Sequence, residues 1–93
     1  MSTLLVAVDG WDPTSWARRL EEQLPDHTIL KTNDRGIFEG DRATLGEIAY
    51  VLAWKPKPEL LAELSGLRVI FSLGAGVDHI LAVETPPDVP IVL

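Results

Sequence analysis

Leu67-Arg68-Val69-Ile70-Phe71-Ser72-Leu73-Gly74-Ala75-Gly76-Val77-Asp78-His79-Ile80 is the stretch on which the reading of this chain turns. An apolar run rich in β-branched and aromatic residues meets two glycines one residue apart, then a residue able to cap a helix. That order predicts a buried strand, a tight turn and a helix start. Gly74 and Gly76 let the backbone approach a ligand with no Cβ in the way. The free N–H groups of such a turn carry a partial positive charge that suits a carboxylate or a phosphate. Glycine-containing strand-to-helix turns also occur in α/β proteins without binding anything, so the turn alone leaves both readings open.

Outward from this stretch the pattern alternates. Leu4 to Val8 is a continuous apolar run, as expected of a strand covered on both faces, and Asp9-Gly10-Trp11-Asp12-Pro13 ends it with two possible caps and a proline suited to a first helical position. A helix follows, with Trp16, Ala17, Leu20 and Leu24 on one side, Arg18, Arg19, Glu21 and Glu22 on the wet side, and Pro25 as its stop. Thr28 to Lys31 reads as a second strand. Asn33 to Glu47 reads as a loop with one short helical turn around Ala43 to Glu47. Ile48 to Trp54 is a third strand, stopped by Lys55-Pro56-Lys57-Pro58. Pro58 opens a helix through Leu64 that Gly66 closes. The central stretch supplies strand four, Asp78 to Ala82 a brief helix, and Val89 to Leu93 a fifth strand. The economical solution is an α/β fold: a flavodoxin-like parallel sheet of order 2-1-3-4-5, flanked by helices and incomplete at the C-terminus.

In that order the carboxyl ends of strands one, three and four lie side by side, where open α/β sheets bind ligands. Asp9, Gly10 and Trp11 arrive there from the first strand, Trp54 and Lys55 from the third, and Leu73 to Gly76 from the fourth. An aromatic wall, a cation and a nest of amides in one place suit a small carboxylic acid. Trp54 has two readings, as cover for the edge of the core or as a wall facing substrate. Lys55 and Lys57, spaced by prolines, read as solvated, with Lys55 placed to attract an anion.

Bulk properties narrow the function. The chain has 93 residues, enough for one domain, and 46% of them are hydrophobic. Its formal net charge of −6, with eight scattered Lys and Arg, argues against nucleic acid and against an anionic membrane as partners. With no cysteine there are no disulfides, thiolate metal sites or thiol catalysis, and the cytoplasm is the natural compartment. Gly74-Ala75-Gly76-Val77-Asp78-His79 begins like a dinucleotide fingerprint, but His79 stands where the third glycine belongs. No phosphate loop is present. Asp9 and Asp12 suggest a receiver-type acidic pocket, yet Trp54 stands where its third carboxylate should be, and a metal site fails on ligand count. His27 reads as structural, Asp78 as a helix cap, and His79 as a weak candidate acid on the helix after the turn.

Val69 to Ile80, preceded by Leu52-Ala53-Trp54-Lys55-Pro56 and followed by Pro87-Asp88-Val89-Pro90-Ile91-Val92, resembles the amino-terminal part of the D-isomer-specific 2-hydroxyacid dehydrogenases, and looks closest to their glyoxylate/hydroxypyruvate reductase A branch. The resemblance implies that residues 1–93 form part of a substrate-binding domain, with the nicotinamide-binding Rossmann domain absent. It implies that backbone amides at Ala75 and Gly76, beside Gly74, hold the carboxylate of a 2-oxoacid of the glyoxylate and hydroxypyruvate class, and that Trp54 lines the pocket. In the family the hydride comes from NADPH or NADH, an arginine polarises the carbonyl, and a histidine paired with an acidic residue donates the proton. Those residues come from later sequence, so no catalytic residue and no cofactor-binding residue is expected in this chain, and no cofactor is expected to bind it alone. The intact enzyme is expected to be a homodimer. The competing expectation is a stand-alone flavodoxin-like module that binds a small anion or a partner without catalysis.

Overall fold

The computed structural model describes residues 2–72 and 90–92. Its elements are β1 (Thr3–Val8), α1 (Thr14–Gln23), β2 (Thr28–Lys31), a 3-10 helix (Arg42–Glu47), β3 (Ile48–Trp54), α2 (Pro58–Ala62), β4 (Val69–Ser72) and β5 (Ile91–Val92). The strands form one parallel sheet, as the alternating pattern predicts, in the flavodoxin-like order β2-β1-β3-β4-β5. The short helix expected at Asp78 to Ala82 lies outside the described residues.

β1 occupies the inner position between β2 and β3, and Leu5, Val6, Ala7 and Val8 have no exposed surface. Its continuous apolar run is explained by this double coverage, because alternate residues feed two cores. Leu5 and Ala7, with Val51, Ala53 and Ile70, meet Phe38, Leu45, Leu60, Leu61 and Leu64 on one face. Val6 and Val8 meet Ala17 of α1 on the other, joined by half-buried Trp11, Leu20, Ile29 and Trp54. The 3-10 helix and α2 are too short to hold themselves in water. They persist because Leu45, Leu60 and Leu61 are buried on the sheet, each worth about 1.5–3 kcal/mol of transfer free energy.

Three local expectations need correction. Trp16 is 44% exposed, although it was expected on the buried stripe of α1. Pro13, Ala17, Leu20 and Leu24 form that stripe, and at 3.6 residues per turn Trp16 lies roughly 70° to one side of its middle. Pro13 is the residue before the first helical position, and Asp12 does the capping: its Oδ1 accepts the Thr14 N–H at 2.9 Å and the Thr14 hydroxyl at 2.6 Å. Gly66 does not close α2, which ends at Ala62. Glycine is required at 66 for a different reason: a Cβ there would stand 2.5 Å from the backbone carbonyl oxygen of Gly46.

Thr32, one residue beyond β2, is 1% exposed and extends the β1–β2 pairing with its side chain. Its N–H donates to the Val6 carbonyl at 3.0 Å, and its Oγ1 accepts the Val8 N–H at 3.2 Å. The single hydroxyl proton is then left for the carbonyls of Asn33 at 3.0 Å or Val8 at 3.3 Å. Thr32→Val keeps the shape but orphans the buried Val8 N–H, so urea denaturation should show a loss of about 1–3 kcal/mol, with Thr32→Ser much closer to the parent. Gly66→Ala should cost about as much or more, since backbone rather than a flexible side chain must yield. The same denaturation series reads both.

Candidate functional site

The carboxyl ends of β1 and β3 are tied together at their last residues. The Asp9 N–H donates to the Trp54 carbonyl at 3.0 Å, continuing the ladder that pairs Val8 with Trp54. The chain then turns at Gly10, whose φ of +113° no residue with a Cβ adopts comfortably, and the Gly10 N–H donates to the Asp34 carbonyl at 2.7 Å. The loop after β2 folds against this turn. Asn33 shapes it, its Oδ1 accepting the N–H groups of Arg35 at 2.9 Å and Ile37 at 3.0 Å, and Arg35 bridges back to Asp9 in antiparallel fashion. Asp9 and Lys57 approach to 3.8 Å with both side chains more than a third exposed, a surface pair worth well under 1 kcal/mol after screening.

Trp54 stands at this rim as the last residue of β3, half-buried on the α1 side among the neighbours of Val6, Val8 and Ala17. This packing agrees with the reading of Trp54 as cover for the edge of the core. Lys55 follows with a φ of +50°, in the left-handed region that costs an L-residue roughly 1–2 kcal/mol. Pro56 restricts it further, because a residue before proline is pushed toward extended backbone. The Lys55 ammonium lies 5.7 Å from the centre of the Trp54 ring, within cation–π range. Periodicity carried no sign of this turn. A lysine wedged between a tryptophan and a proline at a strand end was the one available clue.

β4 reaches the same level, since Ser72 is the register partner of Ala53, the residue before Trp54. Of the four expected site residues the structure thus places Trp54. Gly74, Ala75 and Gly76 lie outside the described residues, as do Leu73, Asp78 and His79. His27 is at the opposite, amino-terminal edge, where its Nδ1 accepts the Ser2 N–H at 3.1 Å, a structural contact. Among the described residues no group of three or more His, Cys, Asp or Glu could hold a metal, and no helix is long and apolar enough to cross a membrane. Two hollows lie away from Trp54: one of about 250 Å³ beside Ile37, Phe38, Lys57 and Leu60, and one of about 350 Å³ lined by Leu4, Leu24, His27, Tyr50 and Phe71.

Comparison with known proteins supports the resemblance read from the sequence. No protein-family model matches the chain. It is 35% identical to the glyoxylate/hydroxypyruvate reductase A of Photorhabdus laumondii over 80% of its own length and 21% of that protein's, and 34% identical to the Yersinia enterocolitica reductase over 88% of its length and 26% of that protein's. The chain therefore spans between a fifth and about a quarter of the curated relatives it matches. Among solved structures it superposes on a D-isomer-specific 2-hydroxyacid dehydrogenase from Xanthobacter autotrophicus, in complex with NADPH and MES, with a TM-score of 0.79 and 30% identity over 97% of this chain and 28% of that one. A second neighbour is a probable 2-hydroxyacid dehydrogenase from Rhizobium etli, in complex with NADP, HEPES and L(+)-tartaric acid, with a TM-score of 0.63 and 30% identity over 98% of this chain and 28% of that one. Over most of its length the chain is similar to a part of these dehydrogenases.

The electrostatics of the rim are open to direct titration at Asp12. Its carboxyl is held below the usual aspartate value, first by the Thr14 hydroxyl, then by the Thr14 N–H, with Lys31 adding a smaller pull against slight desolvation. A depressed value means that the cap's contribution is present above the unfolded-state pKa and is lost as pH falls through the folded-state pKa. Thr14→Val removes the leading cause, so the Asp12 midpoint followed by carboxyl carbon NMR should rise toward the ordinary value. An unchanged midpoint would show that the hydroxyl does not set it.

Proposed function

We propose that this chain is the amino-terminal portion of the substrate-binding domain of a cytoplasmic, NAD(P)-dependent D-isomer-specific 2-hydroxyacid dehydrogenase of the glyoxylate/hydroxypyruvate reductase type, and that it supplies the wall that holds the substrate carboxylate. The observation that carries the reading is the position of Trp54 at the carboxyl end of β3, one residue past the register partner of Ser72, where β4 leads in sequence into Gly74-Ala75-Gly76. Similarity to reductases named for glyoxylate and hydroxypyruvate supports the substrate class. So does the L(+)-tartaric acid in the Rhizobium etli complex, a small hydroxy acid.

In this reading the amides of Gly74, Ala75 and Gly76 take the 2-oxoacid carboxylate and Trp54 closes one side of its binding place. Charge-assisted hydrogen bonds from fixed backbone donors orient the acid without any reorganisation of side chains. The chain's own residues do not fit a nicotinamide cofactor, because His79 occupies the position where a dinucleotide fingerprint requires its third glycine. Hydride transfer and proton donation therefore belong to residues other than these, and the 93-residue chain contributes binding and orientation.

Titration of the ¹⁵N-labelled chain with glyoxylate should shift the amide resonances of Gly74 to Gly76 and the Trp54 indole saturably, whereas glycolaldehyde, which lacks the carboxylate, should not. Ala75→Pro deletes one amide donor and should weaken the interaction by about tenfold or more. The purified chain should not oxidise NADPH in the presence of glyoxylate. Shifts confined to other residues would overturn the carboxylate assignment, and turnover would overturn the division of labour.

A further inference from the structure

We propose that a second copy of this chain docks on the free edge of β2, the two β2 strands pairing antiparallel about a two-fold axis so that the two sheets continue as one. The inference is independent of the carboxylate reading and starts from the outermost strand. β2 ends the sheet on one side, and its ladder to β1 runs without a register shift. The Thr28 N–H donates to the Ser2 carbonyl and the Thr32 N–H to the Val6 carbonyl. Backbone groups alternate in direction along a strand, so the N–H and C=O groups of Ile29 and Lys31 point away from β1, to the open edge. Of the usual devices against edge pairing β2 has neither proline nor bulge, only its short length and the charge of Lys31.

Self-complementarity selects a second copy as the occupant. With Leu30 on the axis, Ile29 of each copy lies opposite Lys31 of the other, and the outward N–H and C=O groups of each such pair satisfy one another. Lys31 then meets an apolar side chain and not another lysine. Half-buried Leu30 meets its own copy on the other face, extending the core it already packs against. On the α1 side the edge carries a hollow of about 240 Å³, lined by Thr14, Ala17, Arg18, Glu21, Ile29 and Lys31. α1 lies over β1 and β2, so strands about 4.8 Å apart on either side of the axis bring the two α1 helices to about 10 Å, a packing distance for helices. They run antiparallel, and Arg18 and Glu21 flank the level of Leu30. Arg18 of one copy therefore lies against Glu21 of the other, and symmetry repeats the contact. Among the described residues neither side chain makes an ion pair within its own chain. Antiparallel pairing also leaves the two Trp54 rims at opposite ends of the joined sheet, clear of the contact.

The contact is small, so the parent chain should dimerise reversibly with a dissociation constant of the order of 100 µM, read by sedimentation velocity up to about 1 mM. Over the same concentrations hydrogen exchange should slow at the Ile29 and Lys31 amides. The Leu30 amide, already turned to β1, should be slow throughout. Arg18→Glu and Glu21→Arg each reverse a contact that occurs twice, and each should weaken dimerisation by about tenfold or more. An equimolar mixture of these two variants should recover it, because the facing charges are again opposite in sign. Lys31→Pro removes an outward N–H without touching the β1 ladder and should abolish the dimer. Thermal melts show whether each variant is folded, and if the proline variant melts early the exchange data and the charge mixture carry the test. A chain that is monomeric at about 1 mM, exchange at Ile29 and Lys31 that ignores concentration, or a dimer indifferent to both charge reversals overturns the proposal. So does a mixture that fails to recover.

Discussion

From Leu5 to Val8, β1 has water on neither face and a strand on each side, so every polar group of this backbone has to be satisfied from within the protein. Most of that demand is met by the parallel ladders to β2 and β3. Where β2 ends too early, Thr32 substitutes a hydroxyl for the missing carbonyl opposite Val8, and where β1 itself ends, the Asp9 N–H takes the carbonyl of Trp54. The geometry of the carboxyl edge is a consequence. Because β1 and β3 remain paired to their final residues, Trp54 cannot drift from the rim, and the turn at Gly10 begins at a fixed height above the sheet.

That rim combines two conflicting requirements. A tight exit from β3 is imposed by Pro56 and Pro58, and the residue that absorbs the turn is a lysine in a backbone state suited to glycine. The strain is tolerable because Pro56 is buried and β3 is anchored through Val51 and Ala53, which have no exposed surface. Packing on one side of the strand thus pays for an unfavourable conformation at its end, a common arrangement at edges where α/β sheets bind ligands.

Coverage of the two faces is unequal. On one face the 3-10 helix and α2 bury Leu5, Val51, Ala53 and Ile70 under Leu45, Leu60, Leu61 and Leu64. On the other, α1 lies over β1 and β2. A helix about 10 Å across spans roughly two strands at 4.8 Å spacing, so Tyr50, Leu52 and Phe71 on β3 and β4 stay half-buried beyond its reach. Tyr50 and Phe71 stack at a tilt, with ring centres 6.4 Å apart, and line the apolar hollow with Leu4 and Leu24.

Much of the fold was legible in the sequence because local patterning and global topology agree. Apolar runs of strand length at Leu4 to Val8 and Ile48 to Trp54, punctuated by glycine and proline, marked the strands, and their alternation with helices pointed to parallel pairing, while the strand order came from likeness to flavodoxin-like sheets and agrees with the structure. The 3-10 helix agrees with the short helical turn expected around Ala43 to Glu47, and the structure adds its cap, Asp41 Oδ1 accepting the Ala43 N–H at 2.9 Å. What only the tertiary structure decided is where neighbours distant in sequence come close. Nothing in the local pattern shows that Gly66 must be small because it passes the Gly46 carbonyl, or that Thr32 completes β1. Lys55 belongs to the same class. Its residue type and its place before a proline were plain, but the left-handed backbone that lays it on Trp54 arises from strand, turn and packing acting together, a constraint that is non-local and so leaves no periodicity to read.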